Sequence, residues 1–235
     1  MSRSKQINSL AVPVERGSVV SLVMDRIKKA LITKELKPGD YLPSETELTK
    51  NLGVSKSSVR EAVKMLQAMG VVEVRRGQGT VILYHPRSDY ISPLIFQLIL
   101  ESGYPEDLVE LRIMFEPAFS VMAMERATDE DIGRIKKALK RFESSIQAAT
   151  QVAEDDIAFH LEILHATRNP LVILIGETIF QLFKPSISIS MKNIPEIALK
   201  DHKRIFEAFC KRDEPLLRKA VLKSYAGWKR SLYRK

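Results

Sequence analysis

Hydrophobic side chains in the first third of the chain recur with a helical period. Residues 1–17 are polar and aperiodic, which predicts a flexible tail. Over residues 18–31 apolar side chains return every three or four positions, and this spacing predicts a first helix. Ser44 and Glu47 have the spacing of a capping box, so a second helix is expected to begin there. Gly53 is the residue expected to end it.

A third helix follows, and the period then changes. Ser55 begins a helix whose inward positions are three or four residues apart, and Gly70 ends it. Residues 71–74 and 80–83 are rich in β-branched side chains and flank a basic tip with two glycines, which predicts a hairpin. Three helices, the last two joined tightly, followed by a two-stranded hairpin make a winged helix-turn-helix. We therefore predict this α+β domain over residues 18–84.

The rest of the chain is helical in pattern after one short interruption. Residues 85–92 contain proline and small polar side chains that break both periods, which predicts a linker. Seven helical segments follow over residues 93–235, and the acids directly after Thr128 are typical of the first turn of a helix. We predict that this second domain is an all-α antiparallel helical bundle.

Charge is distributed unevenly between the two predicted domains. The chain has 235 residues, 45% of them hydrophobic, and a net charge of +8, which is ordinary for a globular protein. Residues 1–84 hold 14 Lys and Arg against 8 Asp and Glu, whereas residues 85–235 hold 23 against 21. The basic excess therefore lies mainly in the winged helix and favours an acidic partner there.

Compartment is predicted from cysteine usage and from the apolar runs. Cys210 is the single cysteine, which excludes an intramolecular disulfide framework and fits a reducing compartment. No uninterrupted apolar run reaches the length of about 18 residues that a membrane span needs. The N-terminus has no apolar core of signal-peptide length. We expect a cytoplasmic protein with no membrane partner.

The beginning of the third helix carries residues suited to DNA. In a helix-turn-helix the second helix of the pair enters the major groove by its N-terminal end, here Ser55 to Arg60. Lys56 and Arg60 are four residues apart and share a face, and the fork of an arginine suits guanine, with about 1–3 kcal/mol of discrimination. Arg75 and Arg76 lie in the hairpin tip, where glycines allow close approach to a phosphate. The alternative is that Ser55 only caps the helix and the cations only face solvent.

Two residues of the predicted bundle form an acid–imidazole pair. Asp156 and His160 are four residues apart and therefore project from the same side of a helix. An acid and an imidazole so placed bind a divalent transition metal when a further imidazole joins them. Arg112 lies between apolar positions of another helix. Its guanidinium either pairs with an acid such as Asp156 or receives a ligand carboxylate bidentately.

The motifs of both domains resemble one family of bacterial regulators. The stretches DYLPSETEL, GVSKSSVREA and RGQGT, at residues 40–48, 53–62 and 76–80, are similar to those of GntR-family transcription regulators. The bundle resembles the FCD-type effector domain of the FadR subfamily at Glu110, Leu111, Arg112, Glu116, Pro117, residues 156–160, Asn169, Pro170, Asp201 and His202. The resemblance implies a homodimer that binds palindromic operator DNA and responds to a small metabolite in the bundle.

The resemblance also implies which residues contact DNA. The positions that match the DNA-contacting positions of the family are Thr46, Ser55, Lys56, Ser57, Ser58, Arg60, Arg76 and Gly77. Thr46 departs from the pattern, because many relatives have arginine there and threonine reaches less far.

The metal site of the family consists of one aspartate and three histidines. The resemblance adds His202 to Asp156 and His160, but the position of the last histidine is Ser224 here, a poor ligand for Zn²⁺ or Ni²⁺. Two versions stay open: a three-ligand metal site completed by water or effector, and a metal-free pocket in which Arg112 and the imidazoles bind an acid. A third alternative is that these groups are only satisfied core residues.

We predict a sequence-specific DNA-binding repressor controlled by a small anionic metabolite, and not an enzyme. The expected effector-binding residues are Arg112, Asp156, His160, His202 and Ser224. Resemblance to regulators of sugar-acid catabolism around residues 115–128 makes a hexonate or hexuronate the leading effector class, ahead of a hydroxy or dicarboxylic acid. A metal-dependent bundle enzyme would leave the winged helix unexplained, and an architectural DNA-binding protein would leave the inward imidazoles without a role.

Overall fold

The computed structural model describes residues 17–84, 93–101 and 105–232 and divides the chain into two compact units at Pro93. The predicted linker, residues 85–92, lies outside the described residues, as does the predicted tail apart from Gly17. Each unit is built around its own hydrophobic core.

The first unit is a winged helix-turn-helix, as predicted. Its elements are α1 (Gly17–Ile32), α2 (Glu45–Leu52), α3 (Lys56–Ala68), β1 (Val72–Arg75) and β2 (Gly79–Ile82). Val23 and Ile27 of α1 pack with Ala62 and Leu66 of α3 in the core, since apolar positions three and four residues apart share a helix face.

Both predicted signals at the ends of α2 are confirmed. The Ser44 hydroxyl accepts from the Glu47 backbone N–H at 3.2 Å, and the Glu47 carboxylate accepts from the Ser44 N–H at 2.8 Å. Gly53 has φ of 66°, a left-handed conformation that glycine adopts without steric cost, and it ends the helix. The tight turn that follows leads directly into α3.

The two strands of the hairpin lie one residue nearer its tip than predicted. Val72 pairs with Ile82 and Arg75 pairs with Gly79, so the tip consists of residues 76–78 alone. Gly79 has φ of 115°, which few other residues adopt, and this allows the second strand to begin earlier than its β-branched run. Arg75 therefore belongs to a strand, whereas Arg76 and Gly77 lie in the tip.

The second unit is all-helical, as predicted. Its helices are α4 (Pro93–Glu101), α5 (Pro105–Arg126), α6 (Asp129–Gln147), α7 (Ala153–His165), α8 (Pro170–Asn193), α9 (Pro195–Lys211) and α10 (Glu214–Leu232). Fully buried aromatic rings form the centre of its core: Phe142, Phe159, Phe183 and Phe209. Helix α7 packs against α5, α6 and α8, so its inward face lies in the middle of the bundle.

Close packing brings α7 and α8 together at a glycine. A β-carbon at Gly176 would lie 2.5 Å from the Leu164 Cδ2 atom, closer than real side chains approach. The absence of a side chain at this position therefore allows α8 to approach the helix that carries Asp156 and His160.

Helix α8 is long and apolar enough to cross a membrane, judged by length and composition. The sequence contains no uninterrupted apolar run of this length because Glu177 and Lys184 interrupt it. Phe180, Phe183 and Ile187 of this helix are buried in the core of the second unit. In this structure α8 is a core helix of the bundle.

Candidate functional site

The N-terminal end of α3 brings three of the predicted DNA-contacting serines together. The Ser55 Oγ accepts from the Ser58 backbone N–H at 3.1 Å and lies 2.8 Å from the hydroxyls of both Ser57 and Ser58. Ser55 therefore caps the helix, as the alternative interpretation held, but this does not exclude DNA contact. Free N–H groups and the helix dipole at such an end favour a phosphate.

Arg60 is held by the carboxylate of Glu45, a contact that the sequence did not indicate. Its Nη2 lies 3.1 Å from the Glu45 Oε2, and its Nε donates to the same carboxylate at 3.3 and 3.4 Å. The Arg60 side chain is still 56% exposed. Glu45 lies fifteen residues earlier and on another helix, so no spacing rule for one helix relates the two.

The remaining predicted DNA-contacting residues are exposed. Lys56 lies at the start of α3, Thr46 in the first turn of α2, and Arg76 and Gly77 in the hairpin tip. Arg75, by contrast, is paired with Glu73 at 2.8 Å. Of the two wing arginines, only Arg76 lies in the hairpin tip, and it is the better candidate for DNA contact for that reason.

In the bundle, the structure brings Asp156, His160 and His202 into one buried cluster. Their potential ligand atoms all lie within 4.8 Å of one another. Asp156 and His160 come from one face of α7, and α9 contributes His202, whose Nε2 lies 3.3 Å from the Asp156 Oδ1. The Nδ1 of His202 is buried and has no hydrogen-bond partner among the described residues.

The donor set of this cluster fits a divalent metal. Burial lowers the pKa of His202 well below its ordinary value, and the neighbouring His160 and Arg112 act in the same direction. His202 is therefore a neutral imidazole, the form that binds metals. Burial raises the pKa of Asp156, and His160 and Arg112 offset only part of this effect. A cation would supply the missing compensation, so the cluster can hold a metal, and its ligand types suit Zn²⁺ and Ni²⁺ alike.

Arg112 has a different acidic partner from the one sequence analysis named. Its Nε lies 2.7 Å from the Oε2 of Glu116, one helical turn further along α5. Glu116, and not Asp156, is thus the carboxylate with which Arg112 pairs. The spacing of four residues is the usual one for a helical ion pair, so the sequence held the signal. Burial by itself would raise the pKa of Glu116, but Arg112 and His160 outweigh it and hold the pKa well below its ordinary value.

Glu116 also orients His160. The His160 Nδ1 lies 2.5 Å from the Glu116 Oε1, and its Nε2 lies 3.2 Å from the Arg112 Nη2. Because a guanidinium can only donate, Nε2 accepts and Nδ1 carries the proton. The Tyr225 hydroxyl donates to the same carboxylate at 3.3 Å. The lone pair at Nε2, the one available to a metal, is thus used by Arg112, so a metal bound to His160 requires this hydrogen bond to break.

A small cavity lies beside the cluster. Of the predicted effector-binding residues, Arg112, Asp156, His202 and Ser224 line it. Trp228, Ser190, apolar side chains and Asp201, which is paired with Arg204, complete the lining. His160 is not among its lining residues. The Ser224 hydroxyl donates to the Val221 carbonyl at 2.7 Å. The cavity volume is about 30 Å³, which is room for a few water molecules, so an organic acid needs the cavity to enlarge.

Comparison with known proteins places both units in one family. Residues 20–82 match the family described as "Bacterial regulatory proteins, gntR family", and residues 107–226 match the FCD domain. The HTH-type transcriptional regulator LutR of Bacillus subtilis (strain 168) is 34% identical over 183 residues, 74% of this chain and 83% of that protein. The galactonate operon transcriptional repressor of Escherichia coli (strain K12) is 28% identical over 212 residues, 87% of this chain and 92% of that protein.

A solved structure agrees with these matches. Streptococcus agalactiae GntR has a TM-score of 0.63 and 28% identity and covers 90% of this chain and 99% of its own. A winged helix-turn-helix and a helical bundle with a buried acid–imidazole cluster therefore make up a DNA-binding transcription regulator, not an enzyme. The chain belongs to the GntR family, in the FadR-type subfamily that has an FCD domain at its C-terminal end.

Proposed function

We propose that this regulator represses transcription from a palindromic operator and releases the DNA when a small anionic metabolite binds in its FCD domain. The observation that carries the proposal is the cavity lined by Arg112, Asp156 and His202, which places charged groups in the interior of a DNA-binding protein. Buried charges of this kind are costly unless they are paired or used. Because the operator is bacterial chromosomal DNA, the expected site of action is the cytoplasm.

Operator recognition is assigned to α3 and the wing. Arg60 is the proposed base-reading residue, because a guanidinium fork can contact two acceptors of guanine. Lys56 and the serine hydroxyls at positions 55, 57 and 58 are proposed to contact phosphates, which set the register without reading sequence. Thr46 supports them from α2, and Arg76 and Gly77 approach the DNA from the hairpin tip.

The active form is proposed to be a homodimer. One recognition helix covers only a half-site, so a palindromic operator requires two of them related by a two-fold axis. Sedimentation of the full-length protein at micromolar concentration should give the mass of two chains. A monomer under those conditions would contradict the proposal.

The proposed effector is an organic acid, with a hexonate or hexuronate as the leading class. One relative is named for a galactonate operon, and galactonate is a sugar acid. A hydroxy or dicarboxylic acid is the second class. Either acid must enlarge a cavity that has room for only a few water molecules. Since interiors are close-packed, this enlargement has to move neighbouring side chains such as Met191 and Ile194, and that movement is the proposed signal.

The charges in the cluster favour the metal-containing version. Arg112 is balanced by Glu116, and Asp156 adds a further carboxylate while burial keeps His202 neutral. Because His160 accepts from Arg112 at Nε2 and keeps its proton on Nδ1, these groups carry one net negative charge, which gives an anion no attraction. A divalent cation on Asp156, His160 and His202 would supply the positive charge and an open position for a carboxylate, since Ser224 is a poor ligand.

The metal-free version of the sequence prediction needs revision in one respect. It relied on charged imidazoles to bind the acid, whereas the lowered pKa of His202 leaves that ring uncharged near neutral pH. In this version His202 can only be a neutral hydrogen-bonding group, and Arg112 has to attract the effector while it stays paired with Glu116.

Operator release measured with and without metal tests the proposal. Purified protein is analysed for bound metals, stripped with a chelator, reloaded, and titrated with a hexonate, a hexuronate, a hydroxy acid and a dicarboxylic acid while bound to fluorescent operator. We expect release by one acid class, loss of release after stripping, and recovery on reloading. Release that survives stripping would support the metal-free version.

Two histidine variants make the assignment specific. His202→Ala should abolish both metal binding and release, whereas His165→Ala, which removes an exposed imidazole paired with Glu177, should change neither. Ser224→His should tighten metal binding and weaken the response by occupying the open position. Normal release from a protein in which Arg112, His160 and His202 are all alanine would rule out both versions.

A further inference from the structure

The ion pair between Glu45 and Arg60 joins the two helices of the helix-turn-helix. Glu45 is the first residue of α2, directly after the Ser44 cap, and Arg60 lies one turn into α3. The carboxylate takes hydrogen bonds from Nε and Nη2 of Arg60, at 3.1 to 3.4 Å. Its side chain is 33% exposed, so Glu45 is the less exposed of the two partners.

The contact occupies one edge of the guanidinium and leaves another. A guanidinium has five N–H groups in a fixed plane, and Glu45 engages those on the Nε and Nη2 edge. The edge formed by Nη1 and Nη2 points away from that carboxylate. Two parallel donors of this kind are what guanine O6 and N7 accept. The arginine is thus oriented before DNA arrives.

We propose that Glu45 is a positioning residue that orients Arg60 for base recognition, and that it increases sequence discrimination at the expense of overall DNA affinity. The inference rests on the proposed role of Arg60 in the major groove. Arginine has one of the largest side-chain entropies, so a partner that restrains it lowers the entropy lost when the base contact forms. A carboxylate near DNA also repels phosphates whatever their sequence.

These two effects have different signatures, and a matched pair of variants separates them. Glu45→Gln and Glu61→Gln each remove one negative charge from the same domain, and Glu61 is an exposed residue next to Arg60 on α3. Both should bind a scrambled duplex more tightly than the wild type does, since repulsion is reduced in both. Only Glu45→Gln should lower the ratio of operator to scrambled affinity, by about 3- to 10-fold, as expected for residues in contact.

The measurement is fluorescence anisotropy with the full-length protein, an operator obtained by selection from random duplexes, and a scrambled duplex of equal length. Glu45→Ala serves as a second variant, because glutamine still offers one acceptor oxygen to Arg60. The ratio of operator to scrambled affinity should fall at least as far in Glu45→Ala as in Glu45→Gln. Thermal melting of each variant checks that the domain stays folded. An unchanged ratio in both Glu45 variants would overturn the inference, as would an equal fall in Glu61→Gln.

A further pair of proteins distinguishes failure of this inference from failure of the proposed docking. Arg60→Ala should lower the ratio by itself, and adding Glu45→Gln to it should produce no further fall. If Arg60→Ala leaves the ratio intact, the proposed role of α3 is wrong. If Arg60→Ala lowers the ratio but Glu45→Gln has the same effect with and without Arg60, the docking stands and the positioning role is wrong.

Discussion

Two arginine–glutamate pairs, one in each domain, show how differently the same chemistry behaves in two environments. The side chains of Arg60 and Glu45 in the winged helix are 56% and 33% exposed, whereas those of Arg112 and Glu116 in the bundle are 6% and 3% exposed. An exposed pair contributes about 0–1 kcal/mol, because water solvates each partner almost as well. Loss of one partner of a buried pair costs about 3–5 kcal/mol, because the other charge stays in the interior.

The difference determines what each arginine is free to do. Arg60 can release the Glu45 carboxylate, or contact DNA while still paired with it, at little cost in free energy. Its charge is therefore available to a partner. Arg112 is committed to Glu116 and His160 and contributes hydrogen-bond donors to the cavity rather than a free charge. A cation held by Asp156, His160 and His202, as proposed above, would therefore be more available to an anionic effector than Arg112 is.

The largest expected effect comes from breaking the buried pair. Glu116→Ala leaves the Arg112 guanidinium without its carboxylate and should lower the free energy of unfolding by about 3–5 kcal/mol. Urea denaturation followed by circular dichroism measures it. Replacing both residues, as in Arg112→Met with Glu116→Leu, should restore part of the loss, because neither charge of this pair stays buried although that of Asp156 does. A loss below about 1 kcal/mol in Glu116→Ala would mean that this pair behaves like an exposed one.

Breaking the exposed pair should change DNA recognition and leave stability unaffected. Arg60→Ala should lower operator discrimination by about 1–3 kcal/mol, because it removes a fork that reads a base pair. Its free energy of unfolding should stay within about 0.5 kcal/mol of the wild type, as for most surface substitutions. Competition binding with single-base operator variants locates the loss at one position of each half-site. Equal weakening on every sequence would contradict base recognition.

The buried cluster should also make stability depend on pH. The folded-state pKa of His202 lies below its unfolded value, so between the two values the unfolded chain binds more protons. The contribution of His202 to the free energy of unfolding is therefore fully present above the pKa that the histidine has in the unfolded chain, about 6.5. Below that pH the free energy of unfolding should fall by up to about 1.4 kcal/mol per pH unit.

Chelator-treated protein gives the cleanest measurement, by thermal melting between pH 7.5 and 5. His202→Phe keeps a ring stacked on Phe159 and should lose less stability on acidification than the wild type. His165→Phe, on the surface of α7, is the control and should resemble the wild type. If His202→Phe has the same acid dependence as the wild type, the histidine is not held neutral.

The smallest expected effect is the dependence on salt concentration, which should differ between the winged helix and the bundle. Lys56→Ala and Arg76→Ala should each reduce the slope of log affinity against log salt by about one unit, since each loses one phosphate contact. The unfolding penalty of Glu116→Ala should be nearly independent of salt, because ions do not screen a buried pair. A salt slope that neither variant changes would show that these cations do not contact phosphates.

Local features were readable from the sequence because they depend on neighbours a few residues away. The Ser44–Glu47 capping box, the left-handed Gly53 and the helical periods of both domains were predicted and are present. The shared face of Asp156 and His160 follows from helical geometry alone. The hairpin was predicted as well, and only the ends of its strands differ by one residue, since Gly79 has a backbone conformation that few other residues adopt.

Tertiary structure decided which distant groups meet. His202 joins the acid–imidazole pair from α9, and only the family resemblance had supplied it, since no spacing connects it to α7. Glu45 reaches Arg60 from another helix for the same reason. The pairing of Glu116 with Arg112 could be predicted from their helical spacing. Its contacts with His160 and Tyr225 join three helices, so its central place in the cluster could not be predicted from the sequence.

The sequence by itself determined the family, the two domains and the residue types that carry charge, because periodicity and short motifs are local properties of the chain. It could not determine which of those charges are available. Arg60 and Arg112 are both arginines on helices, yet one is exposed and the other is buried against a carboxylate. That distinction depends on how helices pack, since burial removes the water that would otherwise solvate each charge.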